Sequence, residues 1–198
     1  MSIFKEIFNY EINNNKIGID GLTNELNALY ISNISSTNVL VVCGSLFEAS
    51  NLYQSISNYC DNVLLFPMDD FLSSKVIELN PEFKITRIET LNILVTYEKK
   101  YIVVTNVNGY LRFLPNSTTW NNNIIKIKKT LKIKYSELIN KLVNIGYTRN
   151  TLVTSTGEIG VRGFVVDVFP IGSDNPIRIE FFDDEIESIR YFDIDTQI

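Results

Sequence analysis

Residues 38–43 read Asn-Val-Leu-Val-Val-Cys and run straight into Gly44-Ser45. An unbroken apolar run of this length predicts a strand buried on both faces. The glycine and serine then open a helix on which Ala49, Leu52, Tyr53 and Ile56 recur at i, i+3, i+4 spacing. Working outward, Val63–Phe66 reads as a second short strand, closed by Pro67. Pro81 precedes a long helical pattern with Ile85, Ile88, Leu91 and Val95 on one face. Tyr101–Thr105 is a third buried strand, a helix follows around Val107, Tyr110 and Leu111, and Ile124–Ile127 is a candidate fourth strand. Strands alternating with helices imply right-handed crossovers and a mostly parallel sheet. Residues 1–128 are therefore expected to form about half of a nucleotide-binding-type α/β domain.

The turn that opens the first helix also limits the chemistry. A phosphate loop needs two glycines and a lysine at fixed spacing, and Gly44-Ser45-Leu46-Phe47-Glu48 lacks the second glycine and the lysine. The 198 residues include no histidine, which removes imidazole general bases, Ser-His-Asp nucleophiles and imidazole metal sites. Two cysteines, Cys43 and Cys60, are too few for a disulfide framework or a thiolate zinc site, and both are expected in core packing. Asp183-Asp184-Glu185 reads as a solvated turn rather than a metal site. No cofactor is expected here. At 45% hydrophobic and 21% charged residues the composition is that of an ordinary globular protein. No apolar run approaches the ~20 residues of a membrane span. The start shows no basic stretch leading into an apolar run, so the expected location is cytoplasmic with no membrane partner.

Charge is unevenly spread. Residues 126–150 carry six lysines and Arg149 against Glu137 alone, while residues 151–198 carry three arginines against ten acids. The basic segment is either a nucleic-acid patch or a solvated linker. Its KIKKTLKIK pattern lacks interleaved aromatics, which favours the linker.

The pattern changes near residue 128. Ser136 precedes a helix bearing Leu138, Leu142 and Ile145, with Gly146 as its stop. Strand-like segments follow at 151–155, 159–169, 176–182 and 186–192, separated by turn residues. One helix against an antiparallel meander predicts a small α+β module over residues 129–198.

Two stretches of this module are more specific than composition. They are Gly157-Glu158-Ile159-Gly160-Val161-Arg162-Gly163-Phe164-Val165-Val166-Asp167-Val168-Phe169-Pro170, and Ile177 through Asp193, reading IRIEFFDDEIESIRYFD. They resemble the interaction domain shared by the bacterial excinuclease protein UvrB and transcription-repair coupling factors, as does Leu138–Asn150 before them. Residues 1–125 resemble, more diffusely, the first half of the RecA-like domain of the same proteins. UvrB carries a phosphate loop there; in the coupling factors it is lost, and this chain resembles that branch.

The resemblance implies an amino-terminal piece of a longer protein, and a domain that recruits UvrA, the damage-sensing protein of the excinuclease. RNA polymerase and DNA would be partners through other parts of that longer protein, whose motor domains would use ATP and Mg. The positions that match the family's contact residues are Arg149, Arg162, Arg178, Glu180 and Phe182. Arg178 and Glu180 lie two apart on a strand and share a face. Of Phe181 and Phe182, alternation sends one to the core without saying which. Arg190 falls outside the matched set and is expected to be uninvolved. Where the UvrB branch has a further arginine, this chain has Gly160, which implies weaker binding. The alternative is an amino-terminal fragment of the ATP-dependent UvrB protein or a related helicase.

Overall fold

The computed structural model describes residues 18–34, 37–70 and 81–197. The first residues, on which the reading of a leader rests, lie outside these. The chain forms two compact units, one ending at Leu114 and one beginning at Pro115.

In the first unit, helix α1 (Asn24–Asn33) precedes strand β1 (Val39–Cys43), helix α2 (Leu46–Ser57), strand β2 (Val63–Phe66), helix α3 (Pro81–Thr96), strand β3 (Ile102–Asn106) and the single turn α4 (Val107–Tyr110). The apolar runs pair as expected in a parallel sheet of order β1-β3-β2, with Val41 and Leu65 both opposite Val104. Burial of β1 on both faces is corrected: Leu40 and Val42 are exposed, so one face of this edge strand is open. Ala28 and Ala49, both fully buried, allow close packing in the core formed with Ile56, Val63, Ile102 and Val104. Thr90 on α3 donates to the Leu65 carbonyl at 2.6 Å, so the helix is tied to β2 by a buried hydroxyl as well as by apolar contact. Both cysteines are free and half-buried, and burial pushes each thiol up from its ordinary value.

The second unit contains helix α5 (Ser117–Asn122), helix α6 (Tyr135–Asn144) and strands β4 (Thr148–Arg149), β5 (Glu158–Arg162), β6 (Val165–Val168), β7 (Ile177–Phe182) and β8 (Glu185–Tyr191). The strands form one sheet in sequence order. Leu138, Ile139 and Leu142 of α6 pack on Ile159, Val166, Val168, Ile179, Phe181 and Ile186, which all lie on one sheet face. The helix begins at Tyr135, two residues earlier than a cap at Ser136 suggested, with Lys134 as N-cap. It stops as expected at Gly146, whose φ is +106°. Gly146 N–H donates to the Val143 carbonyl and Tyr147 N–H to the Leu142 carbonyl, both at 3.0 Å, the paired bonds of a Schellman motif.

Three further expectations are corrected. Residues 151–155 are not a strand: Val153 turns inward to a small second core with Phe169 and Phe192. Glu158 fixes this loop by accepting from Thr154 N–H at 2.8 Å and Ser155 N–H at 2.9 Å. The first strand is instead β4, which runs parallel to β5, so the sheet is mixed rather than a pure antiparallel meander. The segment 159–169 is a hairpin. Arg162 pairs with Val165 across Gly163-Phe164, and Gly163 at φ +61° supplies the first loop position of a type II′ turn.

The third correction concerns Ile124–Ile127, which form no strand of the parallel sheet. Ile125, Ile127, Leu131 and Ile133 pack against the second unit's core, while the lysines between them are exposed. Thr130 N–H donates to the Ile186 carbonyl, Ile186 N–H to the Leu131 carbonyl, and Ile133 N–H to the Asp184 carbonyl. The basic segment thus pairs with the start of β8, and residues 115–128 belong to the second compact unit rather than to the first module.

Candidate partner-binding site

The sheet of the second unit has a face that α6 does not cover. Strand alternation places Gly160 and Arg162 of β5, Val165 and Asp167 of β6, Arg178, Glu180 and Phe182 of β7, and Ser188 and Arg190 of β8 on it. All three arginines of residues 151–198 are therefore on one face of a segment that is strongly acidic overall.

At the centre is Asp167, its side chain 3% exposed. It lies directly opposite Arg178 in the ladder and accepts from that residue's Nε at 2.7 Å and Nη2 at 3.0 Å. This two-point geometry suits the planar guanidinium fork. Arg178 also donates from Nη1 to the Gln197 carbonyl at 3.0 Å, and its guanidinium sits 4.7 Å from the centre of the Phe192 ring. Its side chain is 13% exposed. Bonding to Asp167, ahead of the opposing effect of burial, raises its pKa further. The sequence suggested an exposed, partner-facing arginine here. Instead three of the five N–H donors of Arg178, one on each nitrogen, are used within the chain.

Arg162 is different. It meets the same Asp167 through a single Nη2 contact of 3.0 Å, and its side chain is 51% exposed. One carboxylate thus holds a sequestered arginine and an available one. Glu180 accepts from Ser188 Oγ at 2.6 Å and from Arg190 Nη2 at 2.7 Å. These contacts, the serine bond first, hold its carboxyl below the usual range. Arg190, outside the matched set, is therefore bonded to one of its members. Phe182 is 75% exposed, whereas Phe181 is buried, which settles the register question.

Arg149 stands apart from the other four. It is exposed on β4 and lines a shallow depression of about 380 Å³ with Tyr135, Ser136, Asn140 and Val161, on the helix-covered side of the sheet. At Gly160, a Cβ would lie 3.2 Å from Val153 Cγ2 and 3.6 Å from the Asn150 carbonyl oxygen. A side chain there needs the Val153 methyl to give by a few tenths of an ångström, so the glycine suits the inward turn of Val153.

In the first unit, the turn after β1 is filled by carboxylates. Ser45 Oγ accepts from Glu48 N–H at 3.2 Å as N-cap, and Glu48 Oε2 accepts from Gly44 N–H, one residue before the cap, at 3.0 Å. Leu46 N–H donates to both oxygens of Asp70 at 2.9 and 3.0 Å. Buried Asn106 holds Asp70 in place with a 2.8 Å bond from Nδ2. Among the described residues, no group of three His, Cys, Asp or Glu could hold a metal ion, and no helix is long and apolar enough to cross a membrane.

Comparison with known proteins bears directly on this face. The UvrB interaction domain family matches residues 125–198, the span that carries it. The chain is 30% identical over 182 residues to the transcription-repair-coupling factor of Bacillus subtilis (strain 168), covering 91% of this chain. It is 33% identical to those of Staphylococcus haemolyticus over 161 residues and Staphylococcus aureus (strain USA300) over 165, covering 80% and 82% of it. Over most of its length the chain is similar to transcription-repair coupling factors. It spans 14–15% of the length of these relatives. The family match starts at Ile125, the first isoleucine to join the second unit's core, so its limit coincides with a physical one.

Sequence reasoning missed Asp167, Ser188 and Arg190. Asp167 had a signal: an acid flanked by valines in an apolar strand is either paired or costly. Arg190 had none, because its relation to Glu180 depends on the strand register.

Proposed function

We propose that the second unit is a recruitment module that binds the excinuclease protein UvrA in transcription-coupled nucleotide excision repair. The observation that carries this reading is the open, arginine-bearing sheet face within the span that matches the UvrB interaction domain. On it Arg162 and Phe182 are the exposed contact residues, a charged fork beside an apolar anchor in the manner of interface hot spots. Arg178 holds the sheet, and Arg149 contributes from the depression beside α6. The longer protein is an ATP-dependent DNA translocase that displaces stalled RNA polymerase, with ATP and Mg bound in its motor domains.

The first unit has no nucleotide role in this reading. Phosphate binding at such a turn relies on free backbone amides, and those of Gly44 and Leu46 already donate to carboxylates. The same contacts weigh against an ATP-hydrolysing fragment of UvrB or a helicase. Titration of the 198-residue chain with purified UvrA tests the proposal. Saturable binding that Arg162→Ala weakens is the expected result, and absence of binding at micromolar concentrations overturns it.

A further inference from the structure

Arg178 and Arg190 lie directly opposite each other on β7 and β8, on the same face. Like charges in that position destabilise a sheet. Arg178 is neutralised from the β6 side by Asp167, and Arg190 turns diagonally to Glu180, whose other oxygen is fixed by Ser188. The face therefore repeats one device. A carboxylate satisfied by a second neighbour holds an arginine whose side chain stays half exposed: Arg162 on Asp167 at 51%, Arg190 on Glu180 at 52%. An exposed ion pair contributes little to stability, so stability alone does not account for an arginine that must sit opposite another arginine.

We propose that Arg190 is a partner-contacting residue of the docking surface, and that Glu180 is the positioning residue that aims it. The surface then presents two aimed guanidinium forks, one from β5 and one from β8, with Val165 and Phe182 on the same face. Its complement is a partner surface with separated carboxylates and an apolar patch, because each fork has donors left for a carboxylate. This rests on the recruitment reading above, and UvrA is the probe.

The experiment titrates UvrA with the full chain carrying Arg190→Ala, Arg190→Lys, Glu180→Gln and the double variant E180Q/R190A, alongside the parent and R162A. R190A is expected to lose about tenfold in affinity, with less salt dependence, and to melt close to the parent. R190K, which keeps the charge but not the fork, should recover only part of that loss, and it preserves the test should R190A melt early. E180Q should weaken the parent severalfold yet add nothing to R190A, as expected of a residue that acts through Arg190. If R190A and R190K bind like the parent while R162A binds weakly, the assignment of Arg190 fails and the recruitment reading stands. If E180Q weakens R190A as much as it weakens the parent, Glu180 meets the partner itself and its positioning role fails. If the parent does not bind UvrA, both fall.

Discussion

The turn after β1 in the first unit and the outer sheet face of the second use carboxylates in opposite ways. At the turn, Glu48 and Asp70 accept from the backbone amides that a phosphate would otherwise meet, and the position is closed. On the sheet face, Asp167 and Glu180 accept from arginines without using all their donors, and the position is held open. The difference lies in the donor. A backbone N–H has one hydrogen and is spent by one acceptor, whereas a guanidinium has five and can serve its anchor and a partner together. In this chain, acids thus close the turn of the first unit, while the second unit's sheet face keeps guanidinium donors available.

The largest expected effect is at Arg178. Its removal leaves Asp167 buried with only the single Arg162 contact, so Arg178→Ala should cost about 2–4 kcal/mol of stability in urea unfolding. Unchanged stability would make Arg178 a member of the interface after all. Arg162→Ala should do the reverse, with a loss of about 2–3 kcal/mol in UvrA affinity and about 0–1 kcal/mol in stability. Similar profiles for the two variants would erase the division drawn here. For Phe182→Ala, an exposed anchor implies about 1–2 kcal/mol of affinity and no shift in the melting curve.

Effects in the first unit are smaller. Asp70→Ala frees the Leu46 amide and should cost about 0.5–1 kcal/mol of stability without creating ATP hydrolysis. Steady-state hydrolysis above background in that variant would mean that the acid alone had closed a working site. The smallest effect is the pH dependence. Glu180 titrates below its ordinary range when folded, so its contribution is complete above that range and fades as pH falls through the lowered value. Glu180→Gln should therefore flatten the acid limb of melting temperature against pH.

The parallel sheet was legible because β1, β2 and β3 are short apolar runs, rich in β-branched residues at β1 and β3 and closed by a proline after β2. The β5–β6 hairpin reads as a single strand in the sequence, although a contrary signal is present. Inward residues are odd-numbered at Ile159 and Val161 and even-numbered at Val166 and Val168. That change of parity is the mark of the two-residue Gly163-Phe164 loop. The pairing of Glu180 with Arg190 was beyond reach. A bulge between Glu180 and Phe181 sets Glu180 opposite Ser188 while Phe181 faces Ile186, and one residue of slip would dissolve the arrangement. The division of labour between Arg162 and Arg178 was hidden for a related reason. Both sit on strands at alternating positions, and only the Gln197 carbonyl and the Phe192 ring close over one of them.

The lysine-rich segment paired with the start of β8 has a consequence for how the module behaves in numbers. A bare edge strand is a template on which a second copy can add its own strand, the first step toward aggregation. Here Thr130–Ile133 bond to Ile186 at the start of β8 and to Asp184 just before it, and lysines project from the covering segment. The opposite edge, β4, is two residues long. The beginning of the β8 edge is thereby denied to a second copy, in a domain that exposes Arg162, Arg190 and a bare Phe182.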